Sequence, residues 1–299
     1  MKKVIGIDLG GTSIYGGLIN ENGEVLKRAE RDTEAQKGRK EVLKRIGEVI
    51  NELMVGETIE GIGLGSPGFI DAEQGKVLFL GGNITEWTGL NLKEELSKEF
   101  SGIPIFIEND ANVAAICEGW TGGAKGLNNF VMITLGTGVG GAIYTKKEGI
   151  WHGFNYQGGE LGHSILYPNG RLCGCGQKGC VEQYISGNAV EKSYFEMAKK
   201  KKRGKEIFKN SLEDDICKEV VDNFAKDMAI CLVSIRNIFD PQGVVIGGGV
   251  INSKEYWWDK MVAYYKDYCN NPDGMDILPA VYLNDAGMIG AAKVAFDRV

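Results

Sequence analysis

Apolar residues in this chain recur with two periods. Short β-branched runs at Val4–Leu9, Ile59–Leu64, Ile103–Ile107, Val131–Leu135 and Val244–Ile246 read as buried strands. Between them the spacing lengthens to that of a helix. In EVLKRIGEVINELM (41–54), Val42, Leu43, Ile46, Val49, Ile50 and Leu53 fall on one helical face, and NLKEELSKEF (91–100) follows the same logic. Strands alternating with helices predict an α/β fold.

The pattern also repeats itself. VIGIDLGGTSIYGGLI (4–19) and FVMITLGTGVGGAIY (130–144) share one plan: an apolar strand, a Gly/Thr-rich turn, and a second strand with paired glycines. Each predicts a β-hairpin, and together they predict two similarly built lobes whose turns face each other across a cleft. The expected division is an N-terminal lobe over 1–115 and a C-terminal lobe over 116–285. The last helix (286–299), rich in Ala and Gly, is expected to return to the first lobe.

Composition narrows the class. With 299 residues, 43% hydrophobic and 25% charged, the chain is long enough for two domains of ordinary globular character. A net charge of -6 argues against a nucleic-acid partner. The basic run AKKKKRGK (198–205) reads as a solvated helix end. No apolar run approaches a membrane span, and MKKVIGIDLGG lacks a signal-peptide core, so a cytoplasmic location is expected.

The turns carry the first candidate chemistry. DLGGT (8–12) and LGTGVGG (135–141) offer unobstructed backbone N–H groups beside threonine hydroxyls, a concavity suited to phosphate. Neither is a Walker or Rossmann loop. Singly each reads as a hairpin turn. As a pair, with Asp8 placed to hold a Mg²⁺-phosphate through water, they favour a nucleotide. VVIGGGV (244–250) is either a tight strand-to-helix turn or a close approach to a flat ligand such as adenine. In IFIENDANVAA (105–115), Asp110 either caps the next helix or takes a proton from a substrate hydroxyl beside Asn109.

Cysteines supply the second. Three of the seven, with His163, form H-x9-C-x-C-x4-C: His163, Cys173, Cys175 and Cys180, with glycines at 174, 176 and 179. Three thiolates and one imidazole match a closed tetrahedral structural Zn²⁺ site better than a C-x-x-C redox pair. Cys117, Cys217, Cys231 and Cys269 read as core thiols, and His152 as a packing or surface residue. Glu160 and Glu182 bracket the cluster without joining it. They read as a sugar-recognising wall on a metal-pinned loop.

These motifs, DLGGT, GSPGFID, ENDAN, LGTGVGG, GGELGH, CGCGQKGC-x-E and IGGGV, resemble in kind and order the ROK family (repressors, open reading frames, kinases) of actin/hexokinase-like ATPases. The resemblance implies a two-lobed actin-like, ribonuclease H-like ATPase fold with a cleft, ATP and Mg²⁺ as cofactors, a small-molecule sugar as substrate, and a homodimer. It implies that Asp110 is the base for the sugar 6-hydroxyl. Ser66, Gly68, Asn83, Asn109, Glu160, His163 and Glu182 would line the sugar pocket. Gly10, Gly11, Thr12, Thr137 and Gly138 would meet the phosphates, and Gly248 and Gly249 the adenosine. His163 would serve both the zinc and the sugar.

Repressors of the family carry a DNA-binding segment before the first glycine loop. Here Asp8 comes seven residues after Met1, so a kinase is expected over a sugar-sensing regulator. Gly81 and Gly82 in LGGNITEWTGLNL (80–92) remove volume where an N-acetyl group could sit, and that stretch and AKGLNNFV (124–131) look closer to N-acetylmannosamine kinases. The expected substrate is N-acetylmannosamine, with glucose as the alternative.

Overall fold

The computed structural model describes residues 2–82 and 84–299. Twelve strands are named in it: β1 (Lys3–Leu9), β2 (Ser13–Asn20), β3 (Val25–Asp32), β4 (Gly61–Ser66), β5 (Phe69–Asp71), β6 (Lys76–Phe79), β7 (Ile105–Asn109), β8 (Asn129–Leu135), β9 (Val139–Thr145), β10 (Gly149–Ile150), β11 (Gly243–Gly247) and β12 (Asp276–Pro279). The α-helices are α1 (Arg39–Met54), α2 (Leu92–Glu99), α3 (Asp110–Trp120), α4 (Glu182–Ile185), α5 (Gly187–Ala198), α6 (Gly204–Asn210), α7 (Asp215–Phe239), α8 (Trp258–Tyr268) and α9 (Ala286–Phe296).

Two compact units divide the chain. The first holds Met1–Lys125, His152–Gly158 and Asn284–Val299, and the second holds Gly126–Trp151 and Gly159–Leu283. Residue 115 lies inside α3, and the first unit continues to Lys125. A helix is a poor place for a boundary because its hydrogen bonds run from one turn to the next.

The first unit is built on a five-stranded sheet ordered β3-β2-β1-β4-β7. β1, β2 and β3 pair antiparallel, while β1–β4 and β4–β7 pair parallel. Both faces of β1 are covered, which is why its sequence is continuously apolar rather than alternating. On one face, α1 buries Val42, Ile46, Val49, Ile50 and Leu53. Each such side chain contributes about 1.5–3 kcal/mol of transfer free energy. On the other, α9 packs against β1, β4 and α3. Its small residues put Ala291, Ala292 and Ala295 at zero exposure.

The second unit repeats the plan. Its sheet is ordered β10-β9-β8-β11-β12, with the first three strands antiparallel and β8–β11 and β11–β12 parallel. The hairpins β1–β2 and β8–β9 occupy the same place in the two sheets, which is the physical form of the sequence repeat. The core gathers on α7, which buries Phe224, Met228, Leu232 and Ile235 along one stripe. Among the described residues, no helix is long and apolar enough to cross a membrane.

Candidate active site

Parallel strands end together, so the turns at their carboxyl ends gather along one edge of the sheet. In the first unit Asp8 lies opposite Gly65, Gly65 opposite Glu108, and Ser66 opposite Asn109. Register alone therefore brings Asp8, the GSPG turn and the END segment to one sheet edge. The Asp8 carboxyl is pushed up to about 7 by burial and by the charge of Asp110. Burial also raises Asp110, against backbone hydrogen bonds that lower it. Two carboxylates that repel each other in a partly dry setting are poised to hold a proton or a cation.

The helix cap is Asn109 rather than Asp110. Its Oδ1 accepts the N–H groups of Ala111 at 2.9 Å and Asn112 at 3.1 Å, and its Nδ2 donates to the Gly68 carbonyl at 3.0 Å. Asp110 takes the first helical position, accepting the Ala111 N–H at 2.8 Å. Ser66, expected in the sugar pocket, is fully buried, and its hydroxyl accepts the Trp87 indole N–H at 3.2 Å and donates to the Pro67 carbonyl. Its side chain is thus fully engaged within the first unit. Asn83 lies outside the described residues.

The first glycine turn is held from beneath. Thr33, completely buried, donates its hydroxyl to the Gly10 carbonyl at 2.7 Å, and its N–H donates to the Thr12 carbonyl at 2.8 Å. Gly11 and Thr12 are exposed above it.

His152 is not a bland surface residue. Its Nε2 meets Glu108 Oε2 at 2.8 Å, and that hydrogen bond raises the imidazole's titration above its ordinary value. Glu108, at 2% exposure, also accepts from the Asn109 N–H and from Asn112 Nδ2. A buried carboxylate two residues before the candidate base is thus fully engaged. The acidic first letter of ENDAN was the available signal, since a Glu ending a buried strand needs a partner.

In the second unit the β8–β9 turn carries Gly136, Thr137 and Gly138. The Gly136 carbonyl accepts the Gly187 N–H at 2.8 Å, which seats the amino end of α5 against the turn. The exposed hydroxyl of Thr137 and this helix end line a cavity of about 630 Å³ together with Asn188, Arg203, Lys205 and Gly249. Glu191 also lines this cavity, so its charge is mixed, with the two cations outnumbering the one carboxylate. Arg203 and Lys205 belong to the basic run read from sequence as solvated, and Arg203 precedes α6 as its cap residue. The two C-terminal glycines separate in role. A Cβ on Gly248 would fall 2.5 Å from the Leu135 carbonyl oxygen, whereas Gly249 is exposed with open space around it.

The cysteine stretch folds as a knuckle. Gly176 N–H donates to the Cys173 carbonyl at 3.0 Å, and Cys173 N–H to the Gln177 carbonyl at 2.8 Å. The donor atoms of His163, Cys173, Cys175 and Cys180 all lie within 4.8 Å of one another. Three sulfurs and one nitrogen so gathered fit a four-coordinate ion of zinc's preference. His163 turns Nδ1 toward Cys173 Sγ at 3.8 Å and Nε2 toward Glu160 Oε2 at 3.9 Å. Cys117, Cys217, Cys231 and Cys269 are buried elsewhere. Glu182 faces inward: its Oε2 accepts the Val139 N–H at 3.0 Å, and a Cβ on Gly138 would strike it at 2.3 Å.

The model of the ROK family matches residues 4–298. The chain belongs to the ROK family. A glucokinase of Thermotoga maritima is 35% identical to it over 99% of this chain and 98% of its own. A ROK glucokinase of Streptomyces griseus, solved with glucose and AMPPNP, is similar at 29% identity and TM-score 0.86 over 99% of both chains. A candidate N-acetylmannosamine kinase of Listeria monocytogenes is similar at 26% identity and TM-score 0.87 over 99% of both. The repeated sheet of this ROK chain is accordingly that of the actin-like ATPase fold.

Proposed function

We propose that this ROK protein transfers the γ-phosphoryl group of ATP to the 6-hydroxyl of an N-acylhexosamine, N-acetylmannosamine first among them. The class, an ATP-dependent sugar kinase, rests on the kinase relatives. The observation that carries the chemistry is Asp110, a carboxylate of raised basicity at the amino end of α3, set by the Asn109 cap. Phosphoryl transfer asks little of a protein beyond positioning a hydroxyl, orienting it with a base, and holding the phosphates.

Asp110 accepts the hydroxyl proton in this reading. Asn109 and Gly68 are the sugar-contact candidates of the first unit, and Glu160 and His163 those of the second, each taken within its own unit. Gly10, Gly11 and Thr12 meet phosphate, as do Thr137 and Gly138, with Gly249 beside the adenosine. Asp8 would hold Mg²⁺, which neutralises phosphate charge; the mutual repulsion of Asp8 and Asp110 fits a cation there. His163, Cys173, Cys175 and Cys180 would hold Zn²⁺, which supplies rigidity and no redox chemistry.

The acyl preference is supported by open space: nothing lies within 4 Å of a Cβ placed on Gly81 or Gly82. Glucose is the second reading, favoured by the glucokinase relative. ADP release with Mg·ATP across N-acetylmannosamine, glucose, N-acetylglucosamine, allose and fructose decides. A higher kcat/KM for glucose keeps the kinase and discards the acyl argument, while no turnover with any of them favours a sugar-binding regulator.

A further inference from the structure

We propose that the first unit carries a second carbohydrate subsite, a cavity of about 720 Å³ on the β5–β6 hairpin, which takes a second pyranose ring linked to the hexose that is phosphorylated. The proposal rests on the kinase reading above for the identity of the first ring.

Its floor is aromatic. β5 and β6 pair antiparallel, and the rings of Phe69 and Phe79 lie 5.7 Å apart at 38°. Phe79 is 53% exposed, and Phe154, on the opposite wall, is 98% exposed. Clustered exposure of this kind marks a binding surface more often than a scattered apolar residue does.

The wall is a preorganised loop. Residues 152–158 close on themselves through the Gly158 N–H, which donates to the His152 carbonyl at 2.7 Å. The His152–Glu108 pair anchors one end to β7. Tyr156 sits at φ 57°, the left-handed region that bulky side chains rarely adopt. Tyr156 and Gln157 line the cavity, with Tyr156 against Asp71. Asp71 is itself 6% exposed, and its Oδ1 is engaged by the Glu73 and Gln74 N–H groups.

The chemistry selects the ligand class. Flat aromatic faces pack against the C–H faces of a pyranose, while the carboxamides of Asn155 and Gln157 supply hydrogen bonds and Asp71 holds Tyr156 in place. An acetyl arm is far too small for a cavity of this size. The position is also right, because Phe69 directly follows Gly68, whose carbonyl Asn109 holds one residue before Asp110. Chain adjacency therefore puts the cavity beside Gly68, one of the residues proposed above for the first ring.

The test uses the full-length protein and its Phe154→Ala and Gln157→Ala variants, with cellobiose and N,N′-diacetylchitobiose as disaccharides. Turnover is compared with glucose and N-acetylmannosamine, and disaccharide binding is measured by calorimetry without ATP. We expect wild type to phosphorylate a disaccharide, and both variants to raise its KM about tenfold, equivalent to about 1.4 kcal/mol, with monosaccharide KM changed less than about twofold. Because Phe154 is so exposed, its removal leaves the fold intact. Monosaccharide turnover without disaccharide binding or turnover overturns the subsite, as does an equal effect of the variants on both sugars. A changed elution volume of Phe154→Ala in size-exclusion chromatography, with sugar kinetics unaltered, would make the patch a contact between copies of the chain instead. Disaccharide binding without turnover of any sugar retains the subsite and sinks the kinase reading.

Discussion

The Glu182 carboxylate accepts the backbone N–H of Val139 at 3.0 Å, and its other oxygen lies 3.6 Å from the Cys173 thiol. One side chain thus ties the cysteine knuckle to the glycine turn of Gly136–Gly138. The sequence reading placed Glu182 in the wall of the sugar pocket; in the fold its carboxylate is engaged by Val139 and Cys173, beside the turn proposed to meet phosphate.

Glu182→Ala should therefore loosen that turn, raising KM for ATP about tenfold while moving sugar KM less. Steady-state kinetics with each substrate varied in turn decides. The opposite split would return Glu182 to the sugar.

Asp110→Asn keeps the size and the helix position of the side chain but removes the base. Turnover should fall by about 10²–10⁴ with sugar binding preserved. Calorimetric sugar affinity beside kcat reads both, and an active variant would remove Asp110 from the mechanism.

His152 gives a pH signature. Its folded titration is raised above the ordinary 6.5, chiefly by the Glu108 hydrogen bond, with Arg298 opposing and Glu73 adding. A raised value means that its stabilisation is complete below about pH 6.5 and is lost as pH climbs through the folded value. Wild type should exceed His152→Gln by about 1–2 kcal/mol in denaturant melts near pH 6, the difference shrinking toward pH 9. A difference that stays constant with pH would show that the pair does not titrate.

Metal content tests the knuckle. Wild type should purify with about one zinc per chain, and Cys175→Ser should lose it and melt at lower temperature. Elemental analysis beside calorimetry settles this. A metal-free wild type of unchanged stability would make the cluster plain thiols.

Arg203→Ala and Lys205→Ala should each raise KM for ATP several-fold, more at low salt than at high, if the cavity they line takes the nucleotide as proposed. Unchanged nucleotide kinetics would restore the solvated reading of that run.

Local pattern carried much of this. The apolar face of α1 and the five predicted strand cores are visible because burial repeats with the period of the backbone, and the two hairpins because glycine turns interrupt apolar strands in the same way twice. The H-x9-C-x-C-x4-C spacing named the four side chains that gather within 4.8 Å, since such short, glycine-rich connections leave a loop few ways to fold. Asp110 was legible for its place after a buried strand.

What remained hidden was every choice among partners distant in sequence. That the Asn109 amide reaches Gly68, that Ser66 meets the Trp87 indole, and that His152 reaches Glu108 across 44 residues all depend on which strands lie side by side. Periodicity tells a residue which way to face, because that is set by its own backbone. What it meets there is set by register and packing between segments, and only the folded chain decides that.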